Sequence, residues 1–252
     1  MNAQDRRSLQ TPHSHSHSRR ALLTSAGGLF AMGMLGGLSL APGITLAAAM
    51  TKEARDKLSP DQIIEALKQG NARFRNGKMK GQDYLAQAKA SAAGQFPAAA
   101  ILSCIDSRAP AEIILDAGIG DVFNARVAGN IVNDDMLGSL EFACALAGAK
   151  VIVVMGHTAC GAIKGAIDDA KLGELTGLLS KIKPAIEATQ YTGERSSKNY
   201  AFVDEVAKSN VRLALDEIRH RSSVLAGLEK DGKIKIAGAM YSLASGRVDF
   251  LA

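Results

Sequence analysis

The side chains able to hold a soft divalent metal fall into two short clusters. The first is Ser103-Cys104-Ile105-Asp106-Ser107-Arg108 and the second is Gly156-His157-Thr158-Ala159-Cys160-Gly161. In the second, His-x-x-Cys sets an imidazole and a thiolate about one helical turn apart, near enough to share a metal. Taken singly, each cluster has an ordinary reading. A cysteine at a strand end is commonly a small buried hydrophobe, and Asp-x-Arg is commonly a surface ion pair. Together, Cys104, His157 and Cys160 offer two thiolates and one imidazole, ligands suited to zinc at ~2.3 Å for sulfur and ~2.0–2.1 Å for nitrogen. No fourth cysteine or histidine joins them. Cys144 falls within a helical pattern and reads as packed core, and His220, in Arg219-His220-Arg221 near a helix end, reads as solvated. Three protein ligands with one open position is the catalytic arrangement of zinc, not the structural one.

The elements that must carry these clusters follow from the apolar periodicity. Residues 98–105 are a short apolar run that reads as a buried strand ending at Cys104. Residues 151–155 are a β-branched run, read as a strand stopped by Gly156 with His157 just beyond it. Ligands of open α/β sheets bind outside the carboxyl ends of strands, so both clusters stand where a site can be built. Residues 121–127, introduced by Gly118 and Gly120, and residues 233–243 and 247–251 supply the other strands. Helical patterns lie between them at 136–147, 172–189 and 200–219. Ahead of the sheet, Ser59 can cap and Pro60 open a helix on which Ile63, Ile64, Leu67 and Phe74 recur at helical spacing. A second amphipathic piece spans 84–93, closed by Gly94 and Pro97. Strands alternating with helices predict an α/β fold: a mainly parallel β-sheet flanked by helices, with an N-terminal helical arm.

On these residues the chain resembles the β-class carbonic anhydrases. Cys104-x-Asp106-Ser107-Arg108 and His157-x-x-Cys160 look like that family's zinc signature. Gly70-Asn71-x-Arg73-Phe74, Gln95-x-Pro97, Arg126-Val127-Ala128-Gly129-Asn130, Ser139-Leu140-Glu141-Phe142-Ala143 and Ala244-Ser245-Gly246-Arg247-Val248 extend the likeness from about residue 55 to the end. The resemblance implies the β-carbonic-anhydrase fold and one zinc per chain on Cys104, His157 and Cys160. It implies reversible hydration of carbon dioxide to bicarbonate and a proton, since zinc lowers the pKa of a bound water from 15.7 toward ~7. Asp106 and Arg108 become the catalytic pair, with Asp106 orienting the activated water and Arg108 keeping Asp106 ionised and in place.

The resemblance also implies a homodimer or larger homo-oligomer, in which Gln95 reaches the substrate of a neighbouring subunit. Phe123 lines the apolar side of the pocket, and Phe142 stands where many relatives carry tyrosine. The plain alternative for these three is a loop glutamine and two core aromatics. Relatives of the same fold hydrolyse carbonyl sulfide or carbon disulfide with the same ligands, and a zinc-binding protein without catalysis is a further reading. The intact Asp106–Arg108 pair argues against the latter. In some relatives the aspartate swings onto the metal and bicarbonate stabilises that closed state, in a pocket with a tryptophan just before the first cysteine. Here Ile101 takes that place and the chain has no tryptophan, so Asp106 is expected to stay off the metal near neutral pH.

The first fifth of the chain reads differently. Residues 1–20 are polar and basic, with Arg6, Arg7, Arg19, Arg20 and an alternating run of His13, His15 and His17. No charge occurs from Ala21 to Thr51, and the stretch passes through Ala47-Ala48-Ala49. A basic start, an apolar middle and a small-residue end are the parts of a secretory signal, and Ser18-Arg19-Arg20-Ala21-Leu22-Leu23 resembles the twin-arginine pattern used for folded cargo. Residues 1–49 are therefore expected to be a cleavable export signal, read by the export machinery and delivering residues 50–252 to the periplasm as one catalytic domain. A membrane anchor is the rival, since the stretch could span ~30 Å, but its six glycines and Pro42 weigh against a stable anchor. Without the leader, 26 basic residues face 24 acidic ones, a net charge of +2, which gives no electrostatic footprint for nucleic acid. Three cysteines in an exported chain are too few and too odd for a disulfide scaffold.

Overall fold

The structure, a computed structural model, describes residues 50–251. The expected export signal at 1–49 lies outside the described residues. Among those described, no helix is long and apolar enough to cross a membrane.

The chain enters through α1 (Lys52–Asp56) and α2 (Pro60–Arg75). The start of α2 is set as its sequence predicts. Ser59 Oγ accepts from Gln62 N at 3.2 Å, Gln62 Oε1 accepts from Ser59 N at 2.8 Å, and Pro60 opens the first turn. Its apolar face, with Ile63 and Leu67 fully buried, is covered within the chain. The helix expected at 84–93 forms as α3 (Tyr84–Ser91), but it buries only Gln87, and its Tyr84 and Leu85 stand exposed.

The sheet follows: β1 (Ala99–Ser103), a short helix α4 (Ala111–Ile114), β2 (Val122–Arg126), a 3-10 turn at Ala128–Asn130, α5 (Asp134–Glu141) widening into a π turn at Phe142–Leu146, and β3 (Val151–His157). Then come α6 (Gly161–Ile167), α7 (Gly173–Ser180), α8 (Lys183–Ala188), α9 (Tyr200–Arg221), α10 (Ser223–Lys230), β4 (Lys235–Tyr241) and β5 (Val248–Phe250). The strand order is β2-β1-β3-β4-β5, with the first four parallel and β5 antiparallel to β4. Ala100 and Leu102 of β1 pack into one core with α5, α6 and α9, while Ala99 and Ile101 pack into the other with α2 and α4. Both faces are thus covered, which is why β1 and β3 read as unbroken apolar runs.

Two expectations change. The strand at 151–155 does not stop at Gly156. It continues to His157, pairing Gly156 with Met240 and His157 with Tyr241. Gly156 serves close packing instead, since a Cβ there would lie 2.7 Å from Val211 Cγ2 of α9 and 2.8 Å from Met240 Sδ. The single helix expected over 172–189 is two helices, α7 and α8. Pro184 has no N–H to return to Ser180 and so starts a new helix at its second position.

Candidate metal centre

The strand order reverses between β1 and β3: the chain leaves β1 toward β2 on one side and returns to β3 on the other. Loops diverge there and open a crevice at the carboxyl ends. Cys104 follows the last residue of β1, His157 is the last residue of β3, and Cys160 is the residue before α6. The ligand atoms of these three lie within 4.8 Å of one another, and all three residues are buried. The two sulfurs are 4.0 Å apart. Tetrahedral zinc with bonds of ~2.3 Å sets its sulfurs about 3.8 Å apart, so the spacing fits that ion. His157 Nδ1 lies 2.9 Å from the Thr158 carbonyl oxygen, which fixes the tautomer and leaves Nε2 as the electron-pair donor. Among the described residues Nε2 is buried without a hydrogen-bond partner, a cost that a bound cation removes. The donor set, the spacing and the orphaned nitrogen all suit zinc.

The electrostatics divide the two thiols. Cys104 is held down to about 4, chiefly by the hydrogen bond with Cys160, helped by His157 and by the Gly129 N–H at 3.3 Å from its sulfur. Cys160 is pushed far up by the same bond and by burial. Burial opposes charging of His157, but the Cys104 thiolate beside it outweighs that and raises the ring above its ordinary value.

Asp106 sits at the rim. Arg108 grips it bidentately, with Nε to Oδ1 at 2.9 Å and Nη2 to Oδ2 at 2.7 Å, and the Arg108 backbone N–H adds a third bond to Oδ1 at 2.9 Å. These bonds hold the carboxyl well below the usual carboxylate range, against a smaller opposing effect of burial. Its Oδ2 lies 3.9 Å from His157 Nε2, facing the point where the three ligands converge.

Three other predicted residues, Gln95, Phe123 and Phe142, are not part of the ligand cluster. Gln95 is exposed in the segment before β1, at the amino end of the strand whose carboxyl end carries Cys104. Phe123 and Phe142 meet edge to face at 6.2 Å in an open cleft of ≈780 Å³ beside β2, the edge strand, and none of the three metal-binding residues lines it. Cys144 is buried core, its thiol pushed up to about 12 by burial, and His220 is exposed.

Sequence reasoning gave no role to several residues that hold these groups in place. Arg126 lines the cleft and donates to the carbonyls of Cys104 at 2.9 Å and Asp106 at 2.7 Å, tying β2 to the metal loop. Gly129 takes φ 69°, and a Cβ there would lie 2.7 Å from Ile182 Cδ1. On α9, Asp204 accepts from the backbone N–H of Ala159, between His157 and Cys160, and Asn210 donates to the carbonyl of Gly129, in the turn after β2. The quoted Arg126–Asn130 motif was the one signal that could have pointed to the first two.

Comparison with known proteins agrees with this geometry. The family described as "Carbonic anhydrase" matches residues 99–248. Carbonic anhydrase 2 of Mycobacterium tuberculosis (strain H37Rv) is 35% identical over 195 residues, covering 75% of this chain and 91% of the relative. The carbonic anhydrase of Mycolicibacterium smegmatis is 34% identical over 193 residues, covering 76% and 93%. Among solved structures, one of two tetrameric β-carbonic anhydrases from Sordaria macrospora superposes with a TM-score of 0.59 at 25% identity, over 76% of this chain and 98% of that one. With matched motifs, matched topology and a Cys-His-Cys cluster at the strand ends, the chain belongs to the β-class carbonic anhydrase family.

Proposed function

We propose that the protein catalyses the reversible hydration of carbon dioxide to bicarbonate and a proton. The observation that carries this is the Cys104, His157, Cys160 cluster with the Arg108-clamped Asp106 facing it. A zinc ion held by these three residues supplies Lewis-acid activation of water near neutral pH. Asp106, kept ionised by Arg108, can only accept, so it takes a hydrogen bond from the attacking water and turns a lone pair toward the substrate carbon. Arg126 holds the Asp106 backbone, so the carboxylate cannot drift with its loop. The relatives named above are carbonic anhydrases, which favours this reading over carbonyl sulfide or carbon disulfide hydrolysis. Stopped-flow hydration of carbon dioxide, run beside a carbonyl sulfide hydrolysis assay, tests it. Sulfide release without carbon dioxide hydration would reject it.

The working unit we infer is a homodimer or larger. Among the described residues edge strand β2 has no partner on its outer side, and Tyr84, Leu85, Ile113, Ile119 and Phe142 stand exposed. A second copy would cover them and bring its own Gln95 toward the Phe123–Phe142 cleft. Sedimentation velocity is expected to show a dimer or larger species, and a fully active monomer at low concentration overturns this.

Export to the periplasm rests on the twin-arginine-like start. Loading the metal before export would protect the two thiols from oxidation. Replacing Arg19 and Arg20 by lysine is expected to trap the precursor inside the cell, and unchanged periplasmic accumulation would count against the signal.

A further inference from the structure

We propose that Asp204 is a positioning residue for the metal centre, holding the turn that joins His157 to Cys160. Ala159, inside that turn, has φ 55°, the left-handed region in which the Cβ of an L-residue crowds the following carbonyl. Its N–H donates to Asp204 Oδ1 at 2.8 Å. The preceding residue is pinned from the sheet side: Thr158 N donates to Tyr241 O at 2.9 Å, and Thr158 Oγ1 accepts from Leu243 N at 3.0 Å. Asp204 is thus the hold on the second half of the turn, the half that aims Cys160.

Helix α9 can reach this turn because of Gly156. A side chain there would strike Val211 Cγ2 at 2.7 Å, and the nearest α9 backbone atom, Ala207 O, is only 3.6 Å from the Cβ position. Asp204, Ala207 and Val211 share one face of α9 by their spacing, so the glycine that seats the helix also sets the height of the carboxylate. Among the described residues Asp204 forms no ion pair, which leaves its acceptor for the loop. The same helix reaches Cys104 indirectly, through the turn after β2. Asn210 Nδ2 donates to Gly129 O at 2.7 Å, and Gly129 N–H donates to Cys104 Sγ at 3.3 Å. One rigid helix therefore holds backbone on both sides of the cluster, and the ligands need not organise around the ion from a loose loop. Direct hydrogen-bond partners of metal ligands typically change affinity 10–100-fold when removed, and Asp204 acts one residue further out, through the Ala159 backbone, so its effect belongs at the lower end.

The experiment follows zinc transfer to a chromophoric chelator and the visible spectrum of the cobalt-substituted protein. Asp204→Ala is expected to lose zinc affinity about tenfold and to show an altered cobalt spectrum. Asp204→Asn keeps an acceptor oxygen and is expected to stay near wild type. Ala159→Gly placed in the Asp204→Ala background is expected to recover most of the affinity, because glycine takes positive φ without a Cβ clash. Circular dichroism of the metal-free variants checks that the fold is intact. If Asp204→Ala does not fold, Asp204→Glu carries the test, since it keeps the charge but misplaces the oxygen, and the same loss and glycine rescue are expected. Wild-type zinc affinity and cobalt spectrum in a folded Asp204→Ala, or no recovery with Ala159→Gly, overturns the proposal. The inference rests on the metal reading above: a wild type that binds no zinc overturns both, whereas unchanged affinity in the variant overturns only this one.

Discussion

Cys160→Ser protein is expected to carry little zinc and to hydrate carbon dioxide at least about a thousandfold more slowly than wild type. Among the described residues the cluster has three ligands, so losing one thiolate leaves a thiolate and an imidazole to hold the ion. A serine hydroxyl stays protonated near neutral pH and is a harder donor, so it does not replace the sulfur. Without the metal, the pKa of water returns from ~7 to 15.7, and the nucleophile at neutral pH falls by about eight orders of magnitude. The measured loss is then set by residual metal. Metal analysis with stopped-flow assay checks this, and a full zinc complement in Cys160→Ser removes that residue from the ligand set.

The same ligands set a pH dependence in the wild type. Cys104 titrates at about 4, but Cys160 sits far above its ordinary range, so between about pH 5 and 8 the metal-free site retains the Cys160 proton. Zinc must displace that proton. Affinity therefore rises with pH and falls about tenfold for each unit of acidification. The raised His157 adds a second proton in the same direction wherever its ring is charged. Chelator competition at several pH values reads the slope, and a pH-independent affinity contradicts the assignment of Cys160 as the protonated partner.

Asp106→Asn is expected to keep its zinc and lose activity about 10- to 100-fold. The amide has nearly the carboxylate's shape but neither its charge nor its second acceptor, so Arg108 loses the bidentate partner it holds at 2.7–2.9 Å. An interaction that matters in the transition state lowers kcat and kcat/KM together, whereas damage to substrate entry would appear in KM alone. Zinc analysis separates this from metal loss, and a zinc-replete Asp106→Asn with wild-type rate removes Asp106 from the mechanism. Both Asp106 oxygens are engaged by Arg108, and Ile101, fully buried in the core, offers no polar contact to a bicarbonate-stabilised closed form. Bicarbonate is therefore expected to act as a product and not as a steep non-competitive inhibitor.

Much of this protein was legible in the order of its residues, where the governing physics is local. The Ser59-Pro60 start of α2, the apolar runs of β1 and β3 and the alternation of strand with helix depend on residues within a turn or a strand of one another. So do the ligand types, and Arg108 clamping Asp106 two positions away. Other features were decided by packing between distant segments. The sequence placed Cys104 and His157 at strand ends 53 positions apart, but their ligand atoms meet because β1 and β3 are neighbours in register, with Ser103 opposite Met155. β3 runs on through Gly156 because β4 pairs with it there and α9 needs the space, which a strand-breaking residue type does not reveal. The uncovered face of α3 is likewise a result of packing. Arg126, Asp204 and Asn210 bond to backbone atoms, and a backbone oxygen or N–H is the same at every residue, so no side-chain pattern marks their targets. Residue types thus determined the chemistry available and the local elements, while the sheet register and the seating of α9 determined which groups meet, because those distances arise only when remote segments share one core.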